Sequence, residues 1–279
     1  MTIQAVLIVL TAAVLHALWN AVVKGAPDKA VVLGLVSLGH AVPALIALPF
    51  VGLPVWAAVP FIIGSTLIHW GYYWFLNTAY KHGDLSVVYP ISRGMTPILV
   101  TVGAIFFAGE FLPPIAWAGI VCISVGIGCL SLAGLGRNTN WIAVAAAFGT
   151  GLMIASYSIV DGIGIRLSGN TLGYIAALFV AEIIVAGFIF STRWQRFVAL
   201  PKRYVWAGLT GGVISGLAYG LVLYAKTIAP LGVVSALRES SVIFASLIGV
   251  MWFGEGPKSN RLLAATIVAI GIVILAMTR

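Results

Sequence analysis

Apolar residues fill this chain in runs of about 20, the length that carries an α-helix across a hydrocarbon core about 30 Å thick. Short stretches holding charges, glycine or proline part the runs. Ten spans are predicted, at residues 3–23, 30–51, 57–80, 85–108, 114–135, 141–160, 171–191, 204–226, 231–253 and 259–278. Nothing between them resembles a soluble domain or a disordered linker. The longest polar stretch, Arg193 to Arg203, still contains Trp194, Phe197, Val198 and Leu200. The pattern predicts an all-α membrane protein with ten transmembrane helices.

Composition agrees. The 279 residues are 61% hydrophobic and 8% charged, against about 25% charged in soluble domains. A globule cannot cover its surface with so few charges, whereas a bilayer lets lipid face the apolar side chains. A net charge of +8 raises the question of a nucleic-acid partner, but the basic residues sit in short loops between apolar runs. That placement reads as membrane topology, with no nucleic acid as partner. Cys122 and Cys129 lie in one apolar run. Seven residues on a helix separate them by about 10 Å, beyond disulfide reach, so both are expected to be packing residues. Met1-Thr2-Ile3-Gln4 lacks a basic n-region, and the first run is expected to be a retained span rather than a cleaved signal peptide.

Loop charges set the orientation. On the side reached after span 1 lie Lys24, Lys29, Lys81, Arg137, Arg193, Arg196, Lys202, Arg203, Lys258 and Arg261; on the other lie Arg166, Lys226 and Arg279. Positive-inside bias then places both termini outside the cytoplasm, in a multi-pass protein of the inner (plasma) membrane.

Shifting the chain by 145 residues aligns Arg93 with Arg238, Gly109-Glu110 with Gly254-Glu255, and Gly126-Ile127 with Gly271-Ile272. The chain thus divides into two five-span repeats, 1–138 and 139–279. An odd number of spans per half requires opposite orientations in the membrane. Inverted repeats recur in secondary transporters, whose sites lie near the midplane between the halves.

Two segments carry a family resemblance: Tyr89-Pro90-Ile91-Ser92-Arg93-Gly94-Met95-Thr96-Pro97 through Gly109-Glu110, and Ser235-Ala236-Leu237-Arg238-Glu239-Ser240 through Gly254-Glu255. Ten spans in two halves, each with a fourth span ending in Gly-Glu, resemble the drug/metabolite transporter superfamily of EamA type. The resemblance covers nearly the whole chain, and its aromatic-rich interior is similar to that of YddG-like amino-acid exporters. It implies a carrier for amino acids, aromatic or neutral, moving them outward by alternating access. The sequence departs from the pattern where Val242 stands opposite Pro97, and in termini expected outside where many relatives have them inside.

Four ionisable residues fall inside predicted spans: Arg93, Glu182, Arg238 and Glu239. Each costs at least about 2.5–3.5 kcal/mol at the bilayer centre, and such residues face a cavity or a partner. The arginines are candidate anchors for a substrate carboxylate, although their depth also allows partial snorkelling. Glu239 adjoins Arg238, but helical neighbours point about 100° apart, so Glu239 needs a partner elsewhere or a proton. It is the first candidate for a proton-linked or gating carboxylate. Glu182, alone in span 7, is expected to be a protonated, hydrogen-bonded packing residue. Pro90 and Pro97 are expected to break span 4 beside Arg93; span 9 has only Pro230, at its start.

Polar and aromatic residues gather on certain spans. Span 1 offers His16, Trp19 and Asn20, and span 3 offers His69, Trp70, Tyr72, Tyr73, Trp74, Asn77 and Tyr80. Tyr80, Tyr89 and Tyr224 suit an interfacial aromatic belt, while His69, Tyr72 and Tyr73 lie deeper. Spans 2, 5, 7 and 10 carry few such groups and read as scaffold. The candidate substrate site is therefore His16, Trp19, Tyr72, Tyr73, Tyr89, Arg93, Tyr157, Arg238 and Glu239. Aromatic rings there can hold an ammonium by cation–π attraction and an arginine a carboxylate, which fits amino acids and many other zwitterions. Gly212, Gly216 and Gly220 form a ladder for close helix packing. There is no Walker motif, no His/Cys/carboxylate set with metal spacing, and no catalytic signature, so neither an enzyme nor a cofactor is expected. Two other readings stay open, a flippase for another metabolite or lipid-linked sugar and an intramembrane transferase. Oligomeric state is undetermined by the sequence.

Overall fold

The computed structural model describes residues 2–132, 140–244 and 258–278. The order is α1 (Ile3–Lys24), α2 (Lys29–Val51), a 3₁₀ turn (Trp56–Ala58), α3 (Val59–His82), α4 (Leu85–Ala108), α5 (Pro114–Leu132), α6 (Trp141–Leu167), α7 (Thr171–Ala181), α8 (Ile183–Val198), α9 (Lys202–Ile228), α10 (Leu231–Arg238) and α11 (Lys258–Ala276). No strand occurs among the described residues. Helices α7 and α8 form one span, Thr171–Val198, interrupted at Glu182. Eight described spans are long and apolar enough to cross a membrane. Helix α3 has the length, at 24 residues, but its polar aromatic stripe keeps it out of that set. The ninth predicted span begins as α10 and leaves the described residues after 244; Arg137, Arg279 and Gly254-Glu255 also lie outside them.

Local chemistry sets the helix ends. The side chains of Thr2, Asp28, Asn140 and Asn170 accept the first free N–H groups of α1, α2, α6 and α7, as capping residues do. Gly109 closes α4 at φ 64°, and the Glu110 N–H reaches back to the Ala104 carbonyl at 3.1 Å, a left-handed stop suited to glycine.

Three expectations need correction. Helix α6 extends to Leu167 and α9 to Ile228, so Arg166 and Lys226 are helical residues rather than loop charges. The break expected at Pro90 and Pro97 is absent, and α4 continues through both. There the Ser92, Thr96 and Thr101 hydroxyls donate to the carbonyls of Tyr89, Ser92 and Pro97. The interruption falls in α10 instead, where Glu239, Ser240, Val242 and Ile243 each bond the carbonyl three residues back, a tighter 3₁₀-type path beside the charged pair Arg238-Glu239.

Helix α3 packs on α6, α4 on α5 and α6, α1 and α2 on α9, α2 on α7 and α8, α10 on α4 and α1, and α5 on α11. Between α2 and α9 the backbones touch through Gly39 and Gly212; a Cβ on either would strike backbone of the other helix. Gly216 meets His40, whereas Gly220 has only an ordinary contact with Ile175. Overpacking of this kind costs about 1–3 kcal/mol. Gly212→Leu is thus expected to lower the thermal midpoint in detergent, while Gly220→Ala leaves it near wild type.

Helices α5 and α11 run antiparallel: Gly119 faces Leu275, and Gly126 faces Ile267 and Val268. The Cys122 thiol donates to the Ile267 carbonyl at 3.3 Å, across a separation of 145 residues. Helices α4 and α10 are likewise antiparallel, with Arg93 against Glu239 and Thr101 against Gly232.

Candidate functional site

Helix α4 carries Arg93 into the bundle, 5% exposed, and the turn after α10 brings Glu239, 1% exposed, to meet it. Arg93 Nε lies 2.9 Å from Glu239 Oε2. The N–H does not point at that oxygen, and Arg93 Nε and Nη2 and Glu239 Oε2 are buried without a directed hydrogen bond. The pair cancels charge but leaves hydrogen-bonding capacity unused. Arg238, on the other face of the same turn, has no carboxylate within 4.0 Å among the described residues. Its guanidinium stands 5.4 Å from the ring centroid of Tyr219 on α9.

Aromatic side chains pack around Tyr157 and Tyr219. His69 of α3 stacks on Tyr157 of α6 at 4.1 Å. Tyr72 stands edge-on to Tyr157 at 6.2 Å and to Tyr73 at 5.2 Å, and Tyr157 stands edge-on to Tyr219 at 6.3 Å. Arg93 lies in the field of Tyr72, Tyr89 and Tyr157. His16 of α1 lies within electrostatic range of Arg238 and Arg93, and Trp19 Nε1 donates to His16 Nδ1 at 3.3 Å. Of the nine sequence candidates, Arg93 pairs with Glu239, His16 (bonded to Trp19) and Tyr89 lie only within electrostatic range of Arg93, and Tyr72, Tyr73, Tyr157 and Arg238 fall in one ring cluster. His69 and Tyr219 join it. Tyr80 and Tyr224 are exposed, as belt residues are.

Sequence reasoning missed a second polar group. Asp161 of α6 is wholly buried; Tyr219 donates to its Oδ2 at 2.5 Å and Tyr174 to its Oδ1 at 3.2 Å. Lys226 of α9 is also wholly buried, and its ammonium donates to the carbonyl and hydroxyl of Ser158 at 2.9 and 3.1 Å. The signal was present, but ending span 6 at residue 160 put Asp161 outside the membrane. Glu182 has the hydrogen-bond partner expected of it: His40 Nε2 lies 2.8 Å from its Oε2. Spans 2 and 7 therefore hold a buried polar pair and are not purely scaffold.

A third cluster ties loops at one end of the bundle. Glu110 meets Arg166 at 2.6 Å and accepts the Leu231 N–H at the start of α10 at 2.7 Å. Arg166 also donates to the carbonyls of Lys226 and Ala229 at 2.7 and 3.0 Å. The first Gly-Glu motif thus has a physical role: glycine ends one helix, and the carboxylate holds the start of another. Glu110→Gln is expected to weaken this tie and speed tryptic cleavage at Lys226 and Arg166. Unchanged digestion would show that the backbone hydrogen bonds suffice. Among the described residues no group of three His, Cys, Asp or Glu side chains is placed to hold a metal ion.

The fold defines an integral membrane protein of many helices, with polar and aromatic side chains buried among them. No protein-family model matches the chain. The chloramphenicol-sensitive protein RarD of Pseudomonas aeruginosa is 25% identical over 208 residues, which span 74% of this chain and 65% of RarD. That likeness supports the drug/metabolite transporter resemblance read from the sequence. A crystal structure of another protein superposes with a TM-score of 0.77 at 18% identity, over 99% of both chains; at that identity the likeness speaks for the fold alone.

Proposed function

We propose that this protein is a secondary transporter that moves a small zwitterion, an aromatic or neutral amino acid, across the inner membrane by alternating access. One observation carries the substrate class. The site pairs Arg93 with Glu239 and leaves Arg238 on an aromatic ring with no carboxylate in ion-pair range among the described residues. A substrate carboxylate supplies the missing counter-charge, and the tyrosine, histidine and indole rings suit an apolar side chain and an ammonium. The likeness to RarD supports a transporter, and the exporter-like pattern of the sequence makes outward movement the direction to test first.

The halves 1–138 and 139–279 are proposed as inverted repeats. Counterpart helices α5 and α11 touch through Cys122 and Ile267, positions related by the 145-residue shift. A residue meets its own counterpart only on an axis relating the halves, and the two helices run antiparallel there. The packing of α3 on α6 also has its counterpart in that of α9 on α1.

The test is flux. Purified protein in liposomes is given a panel of labelled amino acids, nucleotide sugars and lipid-linked sugars. Saturable counterflow of phenylalanine or a neutral amino acid is expected. Movement of only the lipid-linked sugars would replace this reading with a flippase.

A further inference from the structure

Lys226 lies two residues before the end of α9, close to the aqueous face. A lysine so placed ordinarily snorkels outward to keep its ammonium hydrated. This one turns the other way. Its ammonium reaches Ser158, which lies about 13 Å along the axis from the end of α6, and no part of the lysine is exposed. Two of its three N–H donors are filled, both by Ser158. Among the described residues no carboxylate comes within ion-pair distance, and the counter-charge acting on it is Asp161, one turn further along α6.

Among the described residues these groups act on Lys226. From α6 come Ser158, Asp161 and Arg166; from α9 itself, Tyr219, whose ring centroid is 5.8 Å from the ammonium; from α10, Arg238. Asp161 in turn faces Tyr174 of α7 and Tyr219 of α9. Tyr219 links the two clusters. Its hydroxyl is held by Asp161, and its ring faces both Lys226 and Arg238, 5.4 Å from the latter. Two cations thus share one ring, with one carboxylate behind it.

We propose that Lys226 is the proton-binding site of the carrier, with Asp161 as fixed counter-charge, and that it loads together with the substrate anchor Arg238. This inference rests on the transport reading above. In the empty site Arg238 repels the Lys226 ammonium, so the amine gives its proton to water when the site opens. A substrate carboxylate on Arg238 cancels that repulsion, and Nζ takes the proton back from water; Asp161 stays a carboxylate throughout. By reciprocity a protonated Lys226 strengthens substrate binding. A sodium ion does not fit this arrangement, because the tethered ammonium is already the cation facing Asp161.

The experiment is calorimetric titration of detergent-purified protein with L-phenylalanine in two buffers of different ionisation enthalpy, which separates proton exchange from binding heat. Net proton uptake by the wild type is expected. Lys226→Arg keeps the positive charge and cannot titrate, so it should retain binding and lose the uptake; Lys226→Met is the second variant should the larger side chain not fit. Binding without proton exchange in the wild type, proton release, or unchanged uptake in either variant overturns the inference while sparing the transport reading. Absence of phenylalanine binding overturns the amino-acid reading, and this inference with it.

Discussion

Glu239→Ala is expected to unfold the protein more readily than any other single substitution in the site. It leaves Arg93 buried at 5% exposure with no partner in place of a carboxylate 2.9 Å away. Breaking a buried pair from one side costs about 3–5 kcal/mol. The buried Arg93 donors already lack directed hydrogen bonds with Glu239 present, which places this pair toward the lower part of that range. The measurement is the thermal midpoint and monodisperse yield in mild detergent. The double variant Arg93→Met with Glu239→Leu should recover stability relative to Glu239→Ala, because it removes both charges and fills the space with apolar atoms. A single variant that melts with wild type would show that water, rather than Glu239, compensates Arg93.

Arg238→Ala has the larger effect on transport. A charged hydrogen bond is worth about 1.5–3 kcal/mol, so deleting this anchor should weaken phenylalanine binding by about 10- to 100-fold. Arg238→Lys should restore only part of it, since lysine keeps the charge but not the planar fork that grips a carboxylate. Phenethylamine, which lacks the carboxylate, should bind wild type and Arg238→Ala alike. If Arg238→Ala instead binds phenylalanine as wild type does while phenethylamine binding changes, Arg238 is supporting Tyr219 and the anchor lies elsewhere.

Charges inside apolar runs were the most legible part of the site. Arg93, Arg238 and Glu239 stand out because each contradicts its surroundings, and the need of Glu239 for a partner on another helix followed from helical geometry. The choice of Arg93 as that partner did not, since it depends on how α4 and α10 pack. Asp161 and Lys226 were hidden for a different reason. A 20-residue span is a minimum, and α6 and α9 each run to 27 residues, so residues assigned to loops belong to helices. His40 and Glu182 were separated by 142 residues, and no local pattern joins them. The helix break was misplaced because proline marks a lost donor, whereas hydroxyls and packing decide whether the helix survives it. In α10 the turn at Glu239 carries no proline at all.

The inward reach of Lys226 also constrains how the chain is assembled. When α9 first enters the bilayer, its terminal ammonium can lie among the headgroups, and the helix inserts as an ordinary apolar segment with a hydrated end. Only when α6 docks, bringing Ser158 and Asp161, does the lysine exchange water for protein. Docking of these two helices is therefore a dehydration step that follows insertion, and a chain caught before it should still offer the amine to reagents in the surrounding water.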